Sequence, residues 1–195
     1  MNEPKLNMIE DTYNDPQTGP INIVVVFLKL MFTGIVAALI LGIFCNGINA
    51  KICDEYYLIV MHWNFQVNSV SLFYAIIAQG IFEGFLFGVG FSLIFTIAAL
   101  CIFKRECSYY LGLSYLVIIV FGAFLGWFIG GIVGCGLAFL SEDWIRTQFM
   151  QGHISISPIR FAWVGGSICG MELGGLLSLL LAVVMMHQKS LTFGK

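Results

Sequence analysis

Residues 110–140, YLGLSYLVIIVFGAFLGWFIGGIVGCGLAFL, run for thirty-one positions without a charged side chain. A helix needs about 20 apolar residues to cross the hydrocarbon core of a bilayer. This run exceeds that, and no soluble core of a chain this short could enclose it on every side. Three further runs share its character. Ile21–Phe44 carries only Lys29, Leu72–Phe103 only Glu83, and Phe161–Met186 only Glu172. The sequence predicts an all-α integral membrane protein with four transmembrane helices at about 21–44, 72–103, 110–140 and 161–186. The second and third are long enough to tilt or to extend past the lipid.

Composition agrees. Of 195 residues, 59% are hydrophobic and 10% charged, whereas soluble domains carry about 25% charged residues. A net charge of −2 leaves no basic surface for nucleic acid. Residues 1–20 form a polar tail with Glu3, Glu10, Asp11 and Asp15 and lack the basic start of a secretory signal. Residues 21–187 form the membrane domain, and 188–195 a second tail.

Lysine and arginine accumulate on the cytoplasmic side of membrane proteins. With four spans, the two tails and the short turn after Phe103 share one side, which holds Lys5, Lys104, Arg105, Lys189 and Lys195 against Lys51, Arg146 and Arg160 opposite. Both termini are therefore expected in the cytoplasm, in a bacterial inner membrane or its equivalent. Trp63, Trp144 and Trp163 fall near one boundary and Tyr109 and Tyr110 near the other, as interfacial aromatic belts do.

The two halves read as a duplication. Shifted by 92 positions, Phe32, Gly34, Ile40 and Gly42 meet Phe124, Gly126, Ile132 and Gly134. Shifted by 89, Tyr74 and Glu83 meet Trp163 and Glu172. Residues 65–70 and 154–159 both alternate apolar and polar side chains, as a short extended segment would. The expected arrangement is two tandem two-helix repeats in parallel orientation, with a pseudo-twofold axis along the membrane normal.

Small residues line one face of every span at four-residue spacing: Gly34, Ala38 and Gly42; Gly80, Gly84 and Gly88; Gly122, Gly126, Gly130 and Gly134; Gly166, Gly170, Gly174 and Ser178. Lipid gives helices no hydrophobic reason to associate, so close backbone approach must supply the attraction. Such glycine zippers serve packing within the chain or against neighbouring subunits.

The chemistry lies in the carboxylates. Glu83 and Glu172 each stand eleven residues into their runs, roughly 16 Å deep. A charge at that depth must pair, face a cavity or be protonated. Gln79 is one turn from Glu83 and placed to hydrogen-bond it, and Lys29 is the one basic residue within a run. Glu83, Glu172, Gln79 and Lys29 are the candidates for an ion or proton pathway, with Lys29 also able to snorkel to the headgroups. Cys45 and Cys53 share a connection and are a candidate disulfide. His62 and His153 sit near Asp54, Glu55, Glu142 and Asp143, but their spacing fits no metal-ligand motif. Residues 56–61 (YYLIVM) are apolar but too short to span. No GxSxG, HExxH or P-loop is present, so neither enzyme chemistry nor a cofactor is expected.

With Gly122, Gly126, Gly130 and Gly134 on one helix and Glu83 and Glu172 on others, the plan resembles the rotor proteolipids of rotary ATPases, which are duplicated hairpins with glycine-rich odd helices and a glutamate in even ones. The connections here are longer, and phenylalanine is abundant where that family has glycine and alanine. The leading functional expectation is a small non-enzymatic subunit of a larger membrane assembly, with the lipid bilayer and other membrane subunits, or further copies of itself, as partners. The alternative is a proton- or cation-coupled channel or transporter component using the two glutamates.

Overall fold

The computed structural model describes residues 20–61, 69–104, 107–150 and 155–193. Those residues build α1 (Pro20–Ile52), α2 (Glu55–Val60), α3 (Ser69–Phe103), α4 (Tyr109–Leu140), α5 (Glu142–Gln148) and α6 (Pro158–Phe193). Among the described residues, four helices, α1, α3, α4 and α6, are long and apolar enough to cross a membrane. The fold is that of a multi-pass helical membrane protein.

Several helix ends lie beyond the hydropathic runs. α1 continues from Phe44 to Ile52 because Asn46 and Asn49 in that extension are buried and hydrogen-bonded. α3 opens at Ser69, so Ser69 and Val70 are helical and not extended. α6 opens at Pro158, a residue suited to the first turn because its missing N–H would lack a helical partner anyway. It continues to Phe193, so most of the expected C-terminal tail is helical. α3 stops at Phe103, where Lys104 turns left-handed at φ 50°. Ser108 then caps α4, its Oγ accepting from Leu111 N at 3.2 Å. The N-terminal tail up to residue 19, Trp63, Arg105, His62 and His153 lie outside the described residues.

The spans pack as two antiparallel hairpins, α1 on α3 and α4 on α6, and the two hairpins meet each other far less closely. Glycine permits the intimacy within each. A Cβ on Gly126 would collide with the carbonyl oxygen of Gly170 and stand 2.8 Å from Gly174 Cα, and one on Gly84 would stand 2.7 Å from the carbonyl oxygen of Ala38. Gly42 faces Gly80, and Gly130 faces Gly166, in the same way. These faces are thus spent inside the chain.

The hairpins are not packed in the register that the sequence shifts imply. Gly42 meets Gly80 and Gly84, whereas Gly134, 92 positions later, meets Ala162 and Gly166. The second partner is displaced by 82 positions and not 89. The difference of seven residues is two helical turns.

Two buried clusters hold the hairpins together. At one end, here the cap end, α2 and α5 fold over the spans and Tyr57, Ile76, Ile145, Met150, Phe161 and Val164 are buried. At the other end Phe95, Ala99, Phe103, Tyr115, Leu179 and Met186 form the second. α2 is the short apolar segment at 56–61. It docks on its own chain, with the Tyr56 ring 4.9 Å from that of Phe161. Leu28, Phe32, Ile40, Ile94, Phe121, Phe139 and Leu177 are among the large apolar side chains left exposed, the surface that lipid would cover.

Candidate functional site

Glu83 and Glu172 occupy the same depth. Each stands fourteen residues after the first residue of its helix, roughly 21 Å of helical rise from the cap end. Their surroundings differ.

Glu83 is held on both oxygens. Gln79 donates Nε2 to Oε1 at 2.8 Å. Asn46 of α1 donates Nδ2 to Oε2 at 3.3 Å and also reaches the Gly42 carbonyl at 3.2 Å. Asn46 in turn accepts the phenolic O–H of Tyr57 on Oδ1 at 2.5 Å. Asn49, one turn on, accepts from Ser167 Oγ of α6 at 3.2 Å. Asn46, Asn49, Tyr57 and Ser167 are each no more than 1% exposed. Polar groups survive at such burial only when paired, and this network ties α1, α2, α3 and α6 together at the cap end. One atom departs from the rule: Asn49 Nδ2 is buried with no hydrogen-bond partner among the described residues.

Glu172 has no such support. Ile168 stands one turn before it, where Gln79 stands before Glu83. Across the hairpin, Gly126 and Gly130 of α4 pack against Gly170 and Gly174. Among the described residues no side chain hydrogen-bonds Glu172. It lines a cavity of ≈ 70 Å³ between the two hairpins. The walls come from α1 (Gly34, Ala38), α3 (Phe87, Phe91), α4 (Leu116, Ile119) and α6 (Met171), and Ser92 is the other polar side chain present. On this measure a water takes about 10–15 Å³, so the space suits a few waters or one small guest.

The cap end has its own electrostatics. The Tyr56 hydroxyl is pushed up to about 12 by burial and by the acidic groups Cys169, Glu83 and Glu172 near it, which places this phenol within electrostatic reach of both carboxylates. Burial also raises Tyr57. Asp54 is raised, by burial and then by its hydrogen bond to Glu55. For Glu55 burial acts upward too, but its backbone N–H and the Asp54 hydrogen bond outweigh it, and the group is lowered. Arg160 donates Nε to the Ile52 carbonyl, capping the end of α1.

The structure brings Gln79 to Glu83 and leaves Lys29 apart. Lys29 is exposed, and it lies seventeen residues along α1 from Asn46, about 25 Å; it is no counter-charge to Glu83. Cys45 and Cys53 are both free, buried thiols. They stand eight residues apart, Cys45 within α1 and Cys53 one residue past its end at Ile52, about 12 Å by helical rise, beyond the reach of a disulfide. Asn46, Asn49, Tyr57, Ser92 and Ser167 were not singled out from sequence. The available signal was the pair of asparagines three residues apart, continuing an apolar run without a proline or a turn.

The chain matches no protein-family model, no curated protein and no solved structure. Its function is therefore argued from this geometry alone.

Proposed function

We propose that the protein is a proton- or cation-handling component of a membrane, a channel or transporter element in which Glu172 is the exchanging group and Glu83 its supported neighbour. One observation carries the reading: Glu172 lines a cavity between two separately packed hairpins with no hydrogen-bond partner from its own hairpin. Glu172 is itself exposed and has no hydrogen-bonding side chain among the described residues, so a carboxyl so placed can take and release a proton or a cation. The loose seam between hairpins supplies a place for access to change. Duplication of one hairpin fits the equal depths of the glutamates, with the second hairpin re-registered by two turns. The basic residues that flank the spans favour cytoplasmic termini, with the cap end on the opposite face, as in an inner membrane.

The test is ion flux in liposomes. Wild-type protein is expected to carry protons or a cation, and Glu172→Gln to abolish flux while eluting as wild type in detergent. Flux unchanged in Glu172→Gln overturns the proposal.

A second reading, a non-enzymatic subunit of a larger membrane assembly, draws support from α5. Trp144 on α5 and Phe149 just past its end pair edge-to-face at 5.1 Å and are 54% and 48% exposed, outside the four spans. A stoichiometric protein retained in mild detergent, and lost on replacing Trp144 with Ala, would support it.

A further inference from the structure

The cavity beside Glu172 also defines what can occupy it. Its polar lining is one carboxylate and one hydroxyl, Ser92, three oxygens in all, and the carbonyls of the surrounding helices are engaged in helical bonds. Hard metal ions such as Ca²⁺ and Mg²⁺ require six or more oxygens, so a dehydrated ion of that kind is not served. The remaining walls are apolar or aromatic. Phe87 and Phe91 lie on one side with their rings 6.1 Å apart and 23° from parallel. The Phe91 ring reaches across to α6, its edge carbons 3.6 Å from the position a Cβ would take on Gly175. Aromatic faces attract cations whose charge is spread over carbon, and apolar walls favour a guest with an alkyl body.

We infer that the cavity is a binding site for a small organic ammonium ion, its charge set against Glu172 and its alkyl groups against Phe87, Phe91 and Met171. The inference rests on the proposal that Glu172 is an exchanging carboxyl and names the cation. One carboxylate cannot hold a proton and the ammonium together. When Glu172 is protonated, entry of a quaternary ammonium breaks the carboxyl O–H bond, leaves the electron pair on the carboxylate beside the cation, and sends the proton to solvent. The groups facing Glu172 are Glu83 on α3 and Tyr56 on α2, and Cys169 lies three residues before it on the same helix. The lining residues of α1 and α4 carry no titratable group. The competition therefore centres on this carboxylate.

Two measurements on the full chain in detergent test this. In calorimetric titration with tetramethylammonium, one site per chain is expected, tighter at about pH 8 than at about pH 5, with proton release seen as a dependence on buffer ionisation enthalpy. Glu172→Gln should weaken binding by about tenfold or more and remove the proton release, and Phe91→Leu should weaken it by about threefold with release intact. Glu142→Gln, on exposed α5, should bind as wild type, and equal weakening there would mean surface charge alone and overturn the site. The second measurement needs no variant. A hydrophobic carbodiimide, which reacts with protonated carboxyls, should label Glu172 by mass spectrometry, and tetramethylammonium should protect it. Labelling without protection overturns the ammonium site and leaves the exchanging carboxyl standing; no labelling of Glu172 overturns both.

Discussion

Tyr57, on the short helix α2, donates its phenolic proton to Asn46, on the spanning helix α1, across 2.5 Å. Asn46 passes the connection to Glu83 through its amide nitrogen at 3.3 Å. A cap residue and a carboxylate inside the membrane span thus share one intermediary. Replacing Tyr57 with Phe leaves Asn46 Oδ1 buried and unpaired. The expected loss is about 1–3 kcal/mol of stability, the usual cost of such an orphan, read as a lower melting temperature in detergent.

Asn46→Ala removes two donations and one acceptance at once. It should destabilise more than Tyr57→Phe, and the double variant should cost less than the sum, because both changes cut the same link. Additive losses would mean that the two residues act independently. Denaturant titration of the four proteins decides it.

Gly126 and Gly170 touch backbone to backbone, whereas nothing lies within 4 Å of a Cβ placed on Gly90 or Gly136. Gly170→Ala is expected to force the second hairpin apart at a cost of about 1–3 kcal/mol. Gly90→Ala and Gly136→Ala should be neutral or stabilise by up to about 1 kcal/mol, since alanine is the better helix former. Unfolding in mixed micelles would show this contrast.

The thiols supply a pH experiment. Cys53 is buried, and that burial pushes its thiol up to about 12. The thiolate is the reactive form, so at pH 8 only about one part in ten thousand is nucleophilic. Reaction with N-ethylmaleimide should be slow at pH 8 and rise with pH, about tenfold per unit, until the thiol titrates or the protein unfolds. Cys101, exposed two residues before the end of α3, should be modified first. Mass spectrometry of timed samples orders the sites. Rapid modification of Cys53 at pH 8 would mean that the cap end opens.

The four spans were legible because a run such as 110–140 has one physical solution. Their ends were less so. Hydropathy stops α1 at Phe44, since it assigns each asparagine an isolated cost, and only the assembled partners Tyr57 and Ser167 offset that cost. The depth of Glu83 and Glu172 could be counted along the chain, and Gln79 follows from helical spacing. The asymmetry between the two carboxylates could not be counted, because it depends on which residues of the neighbouring helix face them. The shifts of 92 and 89 positions aligned similar letters, but contact between backbones selected a register two turns away. The free state of Cys45 and Cys53 likewise follows only once the helix is seen to continue between them.

The distribution of glycine contacts has a mechanical consequence. Within each hairpin, backbone rests on backbone, and such a contact yields little to an applied load. Between hairpins the two clusters at the ends are separated by a partly empty middle. Stiffness is thus concentrated in two staves and compliance in the seam between them. A change in lateral tension, bilayer thickness or hydrostatic pressure would be taken up at that seam, where a small rotation of one stave alters the width of the gap beside Glu172 before it disturbs any glycine contact.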